Sequence, residues 1–236
     1  SVCCFSAAHA QIVDVEQSEK FNTDSVLRDF DDRPFFGIYK DNYFVGGTSI
    51  GTKPTSHNSD VKFQVSISQR LTRSVLPFNT YAFLFYSQKC MWNVFEKSLP
   101  MRDFNFNPGL GFTKLLISKN RLVGKLTLMI EHESNGRDKM YDRSWNKLSF
   151  AGNIYLTPNV MIHGKYWLTY IDSKQNKDIL RYNGIYQTGI QVLSPNQRWV
   201  LSATFVKRKG WNLNGNTIVD IGWRIRKKDN QFLMLH

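Results

Sequence analysis

An all-β chain, folded as an antiparallel transmembrane barrel, is what this sequence predicts, and three observations predict it. Strand-length segments alternate apolar and polar residues, aromatic residues gather near the segment ends, and helical periodicity is nowhere sustained. The stretch "DVKFQVSISQRL", residues 60–71, sets Val61, Phe63, Val65 and Ile67 on one side and Lys62, Gln64, Ser66 and Ser68 on the other. Similar segments recur at "NTYAFLFYSQKCMW", "RLVGKLTLMI", "SFAGNIYL", "NVMIHGKYWLTYI", "NGIYQTGIQVL", "RWVLSATFV" and "GNTIVDIGWRI", separated by turn-rich pieces such as "SPNQ" and "TPN". Trp92, Trp145, Tyr155, Trp167, Tyr170 and Trp199 fall near strand ends, as in the aromatic girdles of a barrel with a polar interior. No run reaches the roughly 18 apolar residues that a membrane-crossing helix requires. A soluble sandwich or lipocalin-like barrel alternates in the same way; the leader-like opening described next and the aromatic strand ends favour the outer membrane.

The 236 residues suit one domain. Lys and Arg number 31 against 19 acids, a formal charge of +12, which raises the question of a polyanionic partner. Nucleic acid fits poorly, because the basic residues are dispersed and neither a zinc-finger spacing nor the glycine-aromatic signature of an RNA-binding sheet occurs. A basic rim facing membrane phosphates accounts for the same charge. Cys3, Cys4 and Cys90 do not make a disulfide framework. The opening "SVCCFSAAHA", residues 1–10, ends in a small-x-small pattern and reads as the remnant of a secretory signal. Residues 11–33 then form an N-terminal extension and 34–236 the barrel. Ten strands can be counted, followed by "DNQFLMLH", which resembles the start of an eleventh. Because an outer-membrane barrel needs an even count and a closed ring, C-terminal strands are expected to be missing.

Parity along "KLTLMIEHES" carries the functional reading. Leu126, Leu128, Ile130, His132 and Ser134 share one face, since side chains alternate with period two. On the returning strand Asn146, Leu148, Phe150, Ile154 and Leu156 share a face, with Trp145, Lys147 and Ser149 opposite. Two neighbouring strands joined by a polar loop therefore bring His132, Ser134 and Asn146 together on the apolar side. These residue types suit nucleophilic catalysis: a serine needs an imidazole to accept its proton, and the imidazole needs a third group to fix its tautomer. A neutral asparagine fills that third place without setting a further charge at the hydrocarbon boundary.

At "EHESNGRDKMYDRSWNKL" the chain resembles the outer-membrane phospholipase A family, whose pattern is His-x-Ser-Asn-Gly-Arg, a short loop, then Arg-Ser-Trp-Asn-Arg/Lys-Leu. His132, Ser134, Asn135, Gly136, Arg137, Arg143, Ser144, Trp145, Asn146 and Leu148 all match. Weaker similarity runs through "RPFFGIYKDNYFVGG", "DVKFQVSISQRL", "YSQKCMW" and "DILRYNGIYQTGIQV". The resemblance implies a twelve-stranded barrel of the bacterial outer membrane, with its active site on the outer wall toward the outer leaflet. It further implies calcium-dependent hydrolysis of glycerophospholipids and lysophospholipids, with A1 and A2 activity, by a homodimer. Carried over, Ser134 is the nucleophile, His132 the general base, Asn146 the residue orienting the imidazole and Gly136 an oxyanion donor through its N–H. One Ca2+ per active site would take the Arg137 carbonyl and the side chain of Asp142, where the family representative carries serine. The partner subunit's ligand is expected as a serine just before Pro100; this chain has Leu99 there, with Ser98 one place earlier. A further acidic calcium position is flanked by Asp172 and Asp178 without aligning with either. The alternative is a catalytically silent barrel, a porin or lipid-binding surface protein that keeps the loop for structure.

Overall fold

Strand alternation becomes architecture once each polar face finds the polar faces of its neighbours. The computed structural model describes residues 4–7, 23–48, 53–138, 141–170, 179–210, 214–226 and 231–235. Its strands are β1 (Cys4–Ala7), β2 (Phe36–Gly37), β3 (Asn42–Thr48), β4 (Ser59–Arg70), β5 (Thr80–Trp92), β6 (Met101–Ser118), β7 (Arg121–Ser134), β8 (Ser144–Thr157), β9 (Val160–Tyr170), β10 (Tyr186–Leu193), β11 (Trp199–Lys207), β12 (Gly215–Arg224) and β13 (Gln231–Leu235). Helix α1 (Thr23–Asp32) precedes β2, and α2 (Ile179–Asn183) precedes β10. From β4 each strand pairs antiparallel with the next as far as β13; β13 then pairs with β1, β1 with β3, and β3 returns to β4, so the ring closes. Closure is short at this seam: β13 pairs with β12 only over Ile221–Arg224, so Gly215–Asp220 have no strand partner on that side among the described residues. The count of ten strands and the start of an eleventh is corrected to twelve in the ring among the described residues. The difference is Cys4–Ala7, which lies in the leader-like opening and pairs with both β3 and β13.

The outer wall is apolar in rows. Phe112, Leu128, Phe150 and Tyr166 stand side by side across β6 to β9, and Leu110, Ile130, Leu148 and Leu168 form the next row; all eight are exposed. The inner face is polar through the middle of the barrel. Glu131, 2% exposed, pairs with Lys165 Nζ at 2.6 Å and accepts a hydrogen bond from Ser149, while Glu133 pairs with Lys147.

Both ends of the interior are plugged by apolar groups, which the expectation of a polar lumen did not include. At one end Leu27 and Phe30 of α1 pack against Tyr81, Phe83, Phe85, Leu115, Leu122 and Met129. Arg70, fully buried at the end of β4, donates to the carbonyls of Phe30, Asp31 and Arg33, satisfying the C-terminal carbonyls of the helix. At the other end Trp145, Trp167 and Ile179 pack together. Trp145 and Trp167 are thus inside the barrel rather than in a lipid-facing girdle, whereas Trp199 and Tyr170 are exposed as expected. Trp167 points inward because its indole N–H donates to the Gly184 carbonyl at 3.0 Å.

Between β2 and β3 the chain turns into the lumen. Phe36 faces Gln69 and Gly37 faces Ser68, but Tyr43 faces Gln64, so two residues more lie on this side than on β4. The surplus carries Tyr39 and Lys40 inward, where Tyr39 Oη donates to Met129 Sδ at 3.2 Å and its ring packs on Phe85 at 4.5 Å between centroids.

Candidate active site on the outer wall

His132 and Asn146 are a directly opposed pair of β7 and β8, and Ser134 opposes Ser144 one step further along the same face. Their row lies just beyond Ile130 and Leu148, about 7 Å past them at 3.4 Å per residue. Catalytic-type side chains thus stand at the upper margin of the apolar belt. His132 Nδ1 and Asn146 Oδ1 are 2.9 Å apart. A carboxamide oxygen only accepts, so Nδ1 carries the proton, and in the neutral imidazole Nε2 holds the lone pair. The structure therefore brings His132 and Asn146 into contact and sets Ser134 beside them on the same strand; among the described residues no hydrogen bond joins Ser134 Oγ to the ring.

Beyond Ser134 the 135–143 loop is organised by Asn135. Its Oδ1 accepts from the N–H groups of Arg137 at 3.2 Å and Arg143 at 3.0 Å, and its Nδ2 donates to the Tyr141 carbonyl at 2.7 Å. Its own N–H donates to the Arg143 carbonyl at 3.0 Å. The sequence reading counted Asn135 as part of a motif and gave it no role. The available signal was Asn-Gly after a strand, where an asparagine side chain bonds backbone further on. Gly136 follows at φ +68°, and a Cβ there would come within 2.8 Å of the Phe106 ring, so glycine is required on both counts. Its N–H has no hydrogen-bond partner among the described residues.

Arg137 Nη2 donates to the Arg102 carbonyl at 2.8 Å, tying this loop to the start of β6. Asp142 Oδ2 accepts from Ser144 Oγ at 2.9 Å. Ser98 sits in the β5–β6 connection with φ +69°, followed by Leu99 at φ +46°, and no hydrogen bond links Ser98 to the 135–143 loop among the described residues. The Leu99 carbonyl accepts instead from Trp92 Nε1 at 2.9 Å. Among the described residues no cluster of three or more His, Cys, Asp or Glu could hold a metal. The candidate donors are oxygens only, one carboxylate and backbone carbonyls, a set that suits a hard cation retaining water or further ligands and does not suit zinc. Asp172 and Asp178 lie outside the described residues.

Fold and site together define an outer-membrane-type β-barrel that carries a histidine, a serine and an asparagine on its lipid-facing wall. The chain belongs to the Phospholipase A1 family, whose profile matches residues 36–236. Phospholipase A1 of Proteus vulgaris is 32% identical over 151 residues, covering 60% of this chain and 50% of that protein. Phospholipase A1 of Escherichia coli K12 is 31% identical over 139 residues, covering 57% of this chain and 48% of that protein. The chain thus spans about half the length of the curated relatives it matches. Among solved structures, outer membrane phospholipase A from Escherichia coli superposes with a TM-score of 0.69 at 26% identity, covering 83% of this chain and 80% of that one. The outer membrane phospholipase dimer of Salmonella typhi, a structure with bound calcium, gives 0.70 at 22% identity, covering 93% of this chain and 99% of that one, and so shares the fold.

Proposed function

We propose that this protein is an outer-membrane phospholipase that hydrolyses acyl esters of glycerophospholipids and lysophospholipids, at both the A1 and A2 positions, from the outer leaflet. The observation that carries the reading is the 2.9 Å contact of His132 with Asn146 on the wall just beyond the lipid-facing belt, two residues from Ser134. A phospholipid lying against Ile130 and Leu148 would present its ester at that height. Ser134 Oγ adds to the ester carbonyl while its proton passes to His132 Nε2, and Asn146 holds the imidazole by accepting from Nδ1. The oxyanion receives the Gly136 N–H, which has no hydrogen-bond partner among the described residues. Collapse expels the lyso-alcohol, which takes the proton back from the imidazolium, and water then releases the fatty acid from Ser134 by the same steps.

The Arg137 carbonyl and Asp142 would hold Ca2+, with Ser98 of a second copy as the ligand supplied across a homodimer. A calcium ion bound there would act as a Lewis acid toward the ester carbonyl. The second reading, a catalytically silent barrel, draws on the absence of a hydrogen bond between Ser134 Oγ and the ring. Fatty-acid release from phospholipid in mixed micelles separates the two. Release that requires calcium and disappears in Ser134→Ala is expected; no release from the folded barrel at any calcium concentration refutes the enzyme.

A further inference from the structure

Pro108 lies in the middle of β6, and prolines belong at edges or bulges because they cannot donate to a ladder. Its position is specific. Phe106 faces Ser134 and Gly109 faces Glu131, so Pro108 faces His132. Toward β5 the ladder runs unbroken through Tyr86 and Pro108, whereas toward β7 the pairings of residues 107 and 108 are missing. That break is the mark of a donor withheld from the His132 carbonyl, since the absent N–H of Pro108 would have pointed there. The carbonyl is nevertheless satisfied: Asn107 Nδ2 donates to it at 3.1 Å. Asn107 faces inward and is buried, and its Oδ1 accepts from Lys40 Nζ at 3.2 Å. Lys40 is fixed in turn, its backbone N–H donating to Ser66 Oγ at 3.0 Å.

We propose that Asn107 is a positioning residue for the active site, its carboxamide replacing the backbone donor that Pro108 withholds and so holding the His132 peptide in register with Asn146 and Ser134. Lys40, on the segment turned into the lumen, sets the carboxamide so that Nδ2 faces the wall. The inference rests on the reading of His132 as general base. An unsatisfied carbonyl at His132 would loosen the one peptide from which the imidazole projects, and small displacements of a catalytic group are costly in rate.

The test uses the full chain refolded in detergent micelles, as wild type, Asn107→Leu, the isosteric Asn107→Asp, Pro108→Ala, and Asn107→Leu combined with Pro108→Ala. Both Asn107 variants should lower kcat for fatty-acid release about tenfold or more with KM within about twofold. Pro108→Ala restores a backbone N–H opposite His132, so the combined variant should recover most of kcat, a rescue that a merely structural role for Asn107 does not give. Wild-type kcat in both Asn107 variants, or a combined variant as slow as Asn107→Leu, overturns the proposal. Amide exchange over residues 131–134 is followed in parallel: it should quicken in the Asn107 variants and slow again with Pro108→Ala. If the wild type releases no fatty acid, the catalytic reading fails by itself, and the exchange arm alone decides whether Asn107 holds the His132 peptide. Where Asn107→Leu does not fold, Asn107→Asp with and without Pro108→Ala gives the same comparison.

Discussion

Replacing Asn146 by alanine removes one contact, the 2.9 Å hydrogen bond to His132 Nδ1. In the resting site that bond joins neutral groups and is worth about 1 kcal/mol; as the ring takes the serine proton it becomes a bond from a cation, worth about 1.5–3 kcal/mol. The wall position is exposed, which favours the lower part of that range. The gain along the reaction is thus about 0.5–2 kcal/mol, and at 1.36 kcal/mol per decade Asn146→Ala should lower kcat about 2- to 30-fold, leaving KM little changed because only the part of the interaction gained on the way to the transition state is lost. Ser134→Ala removes the bond-forming atom and should reduce release to background. Asn146→Asp keeps an acceptor at the same distance and should retain most of the activity. The assay is initial-rate fatty-acid release in mixed micelles at saturating calcium, with folding of each variant checked by heat-modified migration. Equal losses in Asn146→Ala and Ser134→Ala would refute the assignment of Asn146 as an orienting group.

Other consequences follow from the wall and the lumen. Leu128→Lys places a charge in the middle of an exposed apolar row and should cost about 2–4 kcal/mol of folding free energy in a bilayer, measured by denaturant titration in vesicles. Glu131→Ala leaves Lys165 and Ser149 facing the lumen without their carboxylate and should destabilise the barrel by about 3 kcal/mol; a loss below about 1 kcal/mol would mean that water in the lumen replaces the pair. Asp142→Ala should raise the calcium concentration for half-maximal activity about tenfold or more and weaken calcium binding measured calorimetrically. Asn135→Ala removes three loop hydrogen bonds made by one side chain and should make residues 136–143 susceptible to proteolysis while β7 and β8 stay intact.

Much of the site was legible before any coordinates, because strand geometry is simple. Period two puts residues of equal parity on one face, so His132 and Ser134 could be assigned to the apolar side from numbering alone, and Asn146 joined them once its strand was taken as the neighbour. The separation of Lys147 and Ser149 from Leu148 and Phe150 followed by the same rule. Trp145 and Trp167 were harder. Parity places Trp145 opposite Asn146, but an aromatic near a strand end suits either a lipid interface or an interior plug, and only the packing of Ile179 beside them selects the interior. The tie between the 135–143 loop and the start of β6, through Arg137 and the Arg102 carbonyl, was likewise beyond sequence, because the two segments lie 35 residues apart.

Taken alone, the sequence determined the class of fold, the face on which the histidine, serine and asparagine stand, and the family to which they belong, since each depends on local periodicity or on a short motif. Tertiary structure alone decided what lies behind that face. Closure through Cys4–Ala7, the burial of α1 against Arg70, the ion pairs of Glu131 and Glu133, and the Lys40–Asn107–His132 chain join residues far apart in sequence. The physical reason is that a barrel's inner face gathers side chains from every strand at once. Which of them satisfies a given carbonyl or carboxylate depends on register around the whole ring, and no local pattern encodes it.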